Sequence, residues 1–550
     1  VLALLALHLA LVGWGIARNS VTFDEHFHLP AGVAIVARGD FSVSLAQPPL
    51  VKSACALAAL AAGARVPPDT GLPPNAEYGY GELFARANAD RFTRVYTAGR
   101  VVIAVLSVVL ALLVWRWARR LHGPRGAALA LGTYVLAPDV LAHAGIVGMD
   151  LATALGTTAS LYAFWRFTRG GAWRWWAWTA LALALTLLTR FSAPQIGVAF
   201  VALAAWGAAL GTLRRPARVW LGLALLPLTS LIALNAGYGF HTSFAPLATW
   251  HFRSPAFQHA AAAWPALRLP IPDACVAGFD YLSSLQAEGV GWTFVLGHAA
   301  QKTYWWYVPF ALALKWPLGF LGLLGLRAAQ AMVLRPSARR ARHDAFLLLP
   351  VAVLLGVAMF VARLDVGVRY LLPLVPLLCV WLGGLAAAPA RWPRAARAQW
   401  PRWAGAAALL LALQAVESVS VAPYELAFFN RLAGAHPDQM LNDSNVDWGQ
   451  GLIALRDELE RRGITRVHLA YHGTTNPHRY GIDFVPYLGG AFGPESDWFA
   501  VSSFYRAGLP QRMVLPDGRT ESLVRFDLSG MRDQPEAAHL AGCMYLYRIR

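Results

Sequence analysis

"TAGRVVIAVLSVVLALLVWRWARRLHGPR", residues 97–125, decides the fold. Its apolar run from 97 to about 115 ends in Arg116, Arg119, Arg120 and Arg125, and roughly 20 mainly apolar residues suffice to cross a bilayer. The same grammar returns along the chain. Candidate spans lie at about 1–17, 97–115, 126–143, 150–166, 174–189, 194–212, 218–236, 304–326, 345–362, 370–388 and 404–421. Arg166, Arg169 and Arg174 follow the fourth; Arg214, Arg215 and Arg218 follow the sixth. Arg327, Arg335, Arg339, Arg340 and Arg342 follow the eighth; Arg391, Arg394, Arg397 and Arg402 follow the tenth. Every short arginine-rich loop therefore follows an even-numbered span. Such loops stay in the cytoplasm, so about eleven spans place the N-terminus inside and the C-terminus outside. The pair of spans flanking Arg190 reads equally as one broken hairpin.

Composition agrees. Hydrophobic residues make up 57% of the 550 and charged residues 14%, against roughly a quarter charged in soluble domains. The 22 tryptophans suit membrane interfaces. A net charge of +17 raises nucleic acid as a partner, but that reading needs a soluble basic patch. Here the arginines sit between apolar runs, so membrane lipids are expected and nucleic acid is not. The four cysteines, Cys55, Cys275, Cys379 and Cys543, show no CxxC spacing and signal neither zinc nor a disulfide framework. Cys275 and Cys543 fall on the outer side, where their pairing is left open. Val1–Ile16 has no small-residue cleavage motif before Arg18 and is expected to be a span rather than a signal peptide.

Three pieces lie on the outer face: a loop from about 18 to 96, a loop from about 237 to 303, and a tail from about 422 to 550. The chain thus divides into an all-α polytopic membrane domain, 1–421, and a small extracytoplasmic α/β domain, 422–550. In the tail, "DSNVDWGQGLIALRDELERRG" (443–463) offers a capping Asp or Ser, Leu452, Leu455 and Leu459 at helical spacing, and Gly463 as a stop. "ITRVHLAYHG" then alternates Val467, Leu469 and Tyr471 as a strand does.

Ionisable groups near span ends are costly and usually functional. "VTFDEHFHLPAGVAIVARGD" (21–40) sets Asp24, Glu25, His26 and His28 just beyond the first span. Lys52 follows "QPPLV"; Asp139, His143, Asp150, Arg190, Arg363, Asp365 and Arg369 stand near other outer ends. A cation can hold a phosphate, and a carboxylate can take a proton from a hydroxyl. Lys52 is one of three lysines against 44 arginines, which hints that its chemistry is needed. Plainer readings stand beside these. Asp24 reads as a helix cap, His26 and His28 as interfacial polar residues, and Arg190 as a snorkelling side chain. Asp443, Ser444, Asn445, Asp447 and Trp448 read as a cap followed by a core tryptophan.

An acidic pair after the first span, then "QPPL" with Lys52, resembles the first outer loop of GT-C glycosyltransferases. More narrowly, the chain is similar to bacterial family 39 members, the protein O-mannosyltransferase-like and aminoarabinose-transferase-like enzymes. Further matches keep family order. They are "APDVLAHAGIVGMDLATALGTTASLYAF" with Asp150, "LTLLTRFSAP" with Arg190 where the family usually has Lys, and "GVGWTFVLGHAAQKTYWWYVPFALALKWPL". "LDVGVRYLLPLVP" with Arg369, "APYELAFFNRLAG" and "DSNVDWGQGL" complete the series. The resemblance implies an inverting transfer of a sugar from a polyprenyl-phosphate donor to an acceptor hydroxyl, at the outer face of the bacterial inner membrane. Asp24 would be the base, with Glu25 orienting it or binding acceptor. Lys52, Arg190 and Arg369 would bind the donor phosphate; His26, His143 and Asp150 would bind substrate. No cofactor is required by the sequence, and a divalent metal stays open as an alternative partner of the phosphate. The acceptor, whether protein, lipid or glycan, is not named by the sequence, and a MIR-type sugar-binding insertion is missing. The rival readings are a lipid-linked sugar transporter or flippase and a non-catalytic envelope assembly protein.

Overall fold

The computed structural model describes residues 1–68, 71–287, 292–334, 338–362, 365, 367–387, 394–514, 520–524, 528, 531 and 534–549. Arg335, Arg363 and Arg391 lie outside the described residues.

The 97–125 stretch belongs to the helical element Phe92–Val135, which breaks at Gly123 (φ 78°, ψ −173°) ahead of Pro124. Glycine alone adopts that backbone cheaply, and the proline cannot rejoin the hydrogen-bond ladder. The chain doubles back there. The Tyr134 hydroxyl donates to Ser107 O at 3.1 Å, a contact that a straight helix would put far out of reach. His8 Nε2 meets Ser107 Oγ at 2.9 Å, which docks the helix Leu2–Arg18 into the same buried seam.

Among the described residues, four helices are long and apolar enough to cross a membrane: Ala89–Val135, Pro216–Gly237, Arg340–Phe360 and Trp400–Val421. A fifth candidate is the pair Tyr307–Lys315 and Leu318–Val333, bent by 111°. Shorter apolar helices are Leu2–Arg18, Leu50–Ala61, Gln195–Ala209 and Leu374–Ala386. Large apolar side chains stand exposed at helical spacing on outward faces, as at Val101, Val105, Val109 and Leu112, and at Leu409, Leu413 and Val416. Water would penalise such stripes; lipid tails do not. The molecule is accordingly a multi-pass membrane protein built mainly of apolar helices.

The 18–96 segment, read from sequence as an outer loop, is itself largely helical, with Glu25–Arg38, Leu50–Ala61 and Glu77–Ala87. The first two cross at Gly32, where a Cβ would stand 2.1 Å from Lys52 O. Only glycine permits that approach, and it brings Lys52 beside the face that carries His28.

Beyond Val421 the chain forms a five-stranded sheet in the order Phe484–Pro486, Val467–Ala470, Trp498–Ser502, Met544–Arg548, Ala538–Leu540. The first three strands run parallel and the last two pair antiparallel. The expected helix is Leu452–Arg462, with Leu452, Leu455 and Leu459 buried and Gly463 left-handed at its end. Its N-cap is Gly451, with no side-chain cap. The expected Asp or Ser cap is therefore corrected: Asp443–Asn445 is a separate 3₁₀ turn, capped by the Asn442 side chain. The strand Val467–Ala470 is buried at every residue instead of alternating, because it lies between two parallel neighbours with both faces covered. All four cysteines are buried and free, so Cys275 and Cys543 do not pair.

Candidate functional site

Asp24 stands at the N-cap position of the helix Glu25–Arg38, yet its side chain makes no cap hydrogen bond. It turns to Arg369 instead, whose Nη1 donates to Asp24 Oδ2 at 2.7 Å. The plain cap reading of Asp24 therefore does not describe the side chain.

Glu25 points the other way and is fully buried. Arg100 grips it as a fork, Nε to Oε1 at 2.8 Å and Nη2 to Oε2 at 2.7 Å. The amides of Thr22 and Val147 and the Thr22 hydroxyl donate to the same carboxylate. Arg100 also caps the carbonyls of Ile16, Asn19 and Ser20. One buried pair thus ties the end of the first helix, the 19–22 turn and the 147 turn together, and so fixes where Asp24 and Asp150 emerge.

Arg190 is buried, which sets snorkelling aside. Its Nη1 donates to Asp150 Oδ1, and its guanidinium lies 4.2 Å from the centroid of Tyr370. Arg369 contacts the same ring at 5.2 Å and stacks on Trp448 at 4.1 Å. The chain of contacts Asp24, Arg369, Tyr370, Arg190, Asp150 is therefore continuous. Arg369 Nε is buried with no partner among the described residues.

His28 belongs to this cluster. Its Nε2 lies 4.0 Å from Asp24 Oδ2, and burial, then the charges of Lys52, Arg369 and Arg190, push its imidazole well below the ordinary histidine range. His143 feels Asp150, Arg369 and Arg190 and meets the Trp448 ring edge-on at 6.1 Å. Lys52 Nζ donates to Ser44 O at 2.9 Å and Gln47 O at 3.0 Å. Gln47 Oε1 in turn accepts from Phe191 N at 3.3 Å, so the Lys52 loop abuts the Arg190 turn. His26 is placed elsewhere. It packs against Gly81 of the helix Glu77–Ala87, and burial pushes it down to about 4. Asp365 accepts from Tyr304 N at 2.7 Å, and Asp139 feels Lys315; neither contacts Asp24.

The tail, whose residues 443–448 read in the sequence as a cap followed by a core tryptophan, reaches the site. Phe23 N donates to Trp448 O at 2.8 Å, and Ser20 Oγ to Gly449 O at 2.7 Å. Thr474 Oγ1 donates to Phe23 O at 2.9 Å. Asn445 Oδ1 receives Val368 N at 3.1 Å, beside Arg369. Asp443 feels both Arg369 and Asp24, and burial pushes its carboxyl up to about 6. The 443–450 segment is thus a wall of the site, with Trp448 buried over Arg369. The signals in the sequence for this are an aromatic among polar residues and the place of "DSNVDWGQGL" in the ordered motifs. Among the described residues, no group of three or more His, Cys, Asp or Glu is arranged to hold a metal ion.

Residues 84–234 match the model of the family described as dolichyl-phosphate-mannose-protein mannosyltransferase. The matched segment holds Arg100, His143, Asp150 and Arg190 but neither Asp24 nor Arg369. No curated protein matches the chain. Similar solved structures include ArnT from Cupriavidus metallidurans in the apo state, at 13% identity and TM-score 0.46, covering 99% of this chain and 97% of that one. The same protein bound to undecaprenyl phosphate gives 14% identity and TM-score 0.45, with the same coverage. The archaeal oligosaccharyltransferase AglB from Archaeoglobus fulgidus, in complex with an inhibitory peptide and a dolichol-phosphate, gives 11% identity and TM-score 0.46, covering 98% and 75%. The matched segment holds two of the ordered motifs, "APDVLAHAGIVGMDLATALGTTASLYAF" and "LTLLTRFSAP".

Proposed function

We propose that the protein is an integral-membrane, inverting glycosyltransferase that moves a sugar from a polyprenyl-phosphate donor to an acceptor hydroxyl on the outer face of a bacterial inner membrane. The observation that carries this reading is Asp24, released from capping and held against Arg369 in a cluster that also holds Arg190 and Asp150. The donor's lipid keeps its phosphate at headgroup depth. There Arg369, through the Nε that has no partner among the described residues, and Arg190 receive the phosphate oxygens, and Lys52 adds charge from behind the Gln47 loop. A phosphate on Arg369 competes with Asp24 for the guanidinium and frees the carboxylate. The acceptor hydroxyl attacks the anomeric carbon from the face opposite the phosphate. Its proton passes to Asp24, the bond from carbon to phosphate oxygen breaks, and polyprenyl phosphate leaves carrying the electron pair. The extra negative charge that develops on the phosphate is what the guanidinium groups stabilise. Asp150 holds Arg190 in place and is the carboxylate assigned to the sugar hydroxyls; His28 and His143 line the same cluster.

The topology belongs to the same proposal: eleven spans, a cytoplasmic N-terminus and an outer domain from about Ala422. A reporter fused after Arg550 that is active only in the cytoplasm would overturn it. The transfer itself is tested with purified protein in liposomes, a radiolabelled polyprenyl-phosphate sugar and membrane acceptors. Label that stays on the lipid would refute a transferase.

A transporter reading draws on the bent pair Tyr307–Lys315 and Leu318–Val333, since broken helices mark many transport sites. Here the break is fixed. Asn430 donates to Ala313 O and Trp316 O at 2.6 and 2.7 Å, and Glu417 accepts from Leu318 N and Gly319 N at 3.1 and 3.0 Å. The freed backbone groups are held by the protein, which favours the transferase.

A further inference from the structure

The helix Asp150–Gly170 starts in the candidate site and ends at a second cavity. From Asp150 to Arg169 the rise is about 28 Å at 1.5 Å per residue, close to the roughly 30 Å of a bilayer's hydrocarbon core. The cavity therefore sits at the opposite membrane face. It measures about 420 Å³, and its lining includes Arg169, Arg214, Arg342 and His343 beside the apolar walls of Trp206 and Phe346.

Charge distinguishes it from the candidate site. There each arginine has a carboxylate: Arg100 with Glu25, Arg190 with Asp150, Arg369 with Asp24. Among the described residues that line the second cavity there is no Asp or Glu. Arg169 and His343 converge on one another, Nη1 to Nε2 at 3.4 Å, and both rest on the buried Trp165 ring, at 5.1 and 5.9 Å. Asp344, next in sequence, binds Arg327 instead, at 2.8 and 2.9 Å. The helices Asp150–Gly170 and Gln195–Ala209 both end near this cavity, and their carbonyl ends would repel an anion. Three guanidinium groups reverse that field. The apolar walls include Leu203 and Leu213 as well, and Leu210, between the lining residues Gly207 and Thr212 in sequence, is 54% exposed.

We propose that this cavity binds the phosphate-bearing headgroup of an anionic membrane lipid. A basic pocket between helices at one membrane face has the chemistry such a headgroup needs, and the apolar walls suit an amphipathic ligand better than a free ion. The inference rests on the membrane reading and not on the transfer chemistry.

The test uses the purified full-length chain in detergent, titrated with phosphatidylglycerol and, separately, phosphatidylcholine, with bound lipid counted by native mass spectrometry. One saturable phosphatidylglycerol is expected, held about ten-fold more tightly than phosphatidylcholine. The double substitution Arg169→Gln with Arg342→Gln is expected to weaken it by about ten-fold or more. Both arginines are exposed, so the variant should elute as the parent does; if it does not, Arg214→Gln, on a different connection, takes its place. Equal binding of the two lipids, or no change in the variant, overturns the proposal. Displacement by inorganic phosphate at the same concentration would overturn the lipid and leave a soluble phosphate as occupant. Sugar transfer by the same variant is measured alongside: lost lipid binding with transfer retained supports this site alone, and lost transfer in both proteins counts against the transferase reading alone.

Discussion

Asp24 and Glu25 are neighbours in the chain and opposites in the structure. Behind the 19–24 turn, Glu25 and Arg100 form a two-pronged pair whose side chains are 0% and 4% exposed, and every remaining polar group is met. In front of it, Asp24 and Arg369 share a single contact at 20% and 13% exposure, and Arg369 Nε has no partner among the described residues. The two pairs are about equally short, so distance does not separate a structural pair from a reactive one. Saturation does. A carboxylate with all its lone pairs occupied in a dry setting is a brace, whereas one held by a single breakable contact can change partners when a stronger anion arrives.

The largest expected effect falls behind the turn. Glu25→Ala leaves Arg100 buried without its counter-ion, which costs about 3–5 kcal/mol; a lowered melting temperature and poor expression are the readouts. A Glu25→Ala protein as stable as its parent would erase the contrast. In front of the turn, Asp24→Asn should melt as the parent does and bind donor, yet lose transfer by roughly 10²-fold or more, because an amide cannot take the acceptor's proton. Near-normal turnover would move the base elsewhere, with Asp150 next to examine. Arg190→Ala is expected to weaken donor binding by about ten-fold or more, since it also strands buried Asp150. Arg190→Lys keeps the charge and should do less harm; the two are ranked by donor titration. Trp448→Ala removes the ring 4.1 Å from Arg369 and should cost donor affinity about 2- to 10-fold, the range of an exposed to a partly desolvated cation–π contact.

The smallest effect concerns pH. Burial pushes Asp447 from the ordinary 3.8 up to about 7, so the folded state holds this proton more tightly than the unfolded chain does. Stability from that source is complete below 3.8 and is lost as pH rises towards 7. The hydrogen bond from Gly449 N at 3.0 Å offsets part of the desolvation and so limits how far this window extends upward. Asp447→Asn should flatten the fall in melting temperature across that window.

Much of this was readable before any coordinates. Apolar runs are local, and so are the arginines that follow them; both act through a single helix and its nearest water, so a linear chain displays them. The same holds for the tail helix, where leucine spacing and Gly463 act within a few turns. Asp24, Arg190, Arg369, Asp150 and His143 stand out because charge is scarce in an apolar chain, and the structure brings all five into one cluster. His26, which the resemblance groups with the substrate-binding residues, faces a different neighbour on its helix, Gly81.

The sequence by itself determined the solvent: a chain this apolar, with arginines gathered in short clusters, has one stable setting, because hydrocarbon tolerates its faces and water does not. It also determined which residue types stand near the span ends. Only the tertiary structure decided their partners. Arg100 reaches Glu25 across 75 positions, and Arg369 reaches Asp24 across 345, separations over which no periodicity carries information. Trp448 covers Arg369 only because the tail folds back onto the first turn through Ser20, Phe23 and Thr474. Whether a carboxylate is sealed or left open depends on how many donors the fold brings to it, and that count belongs to three-dimensional packing.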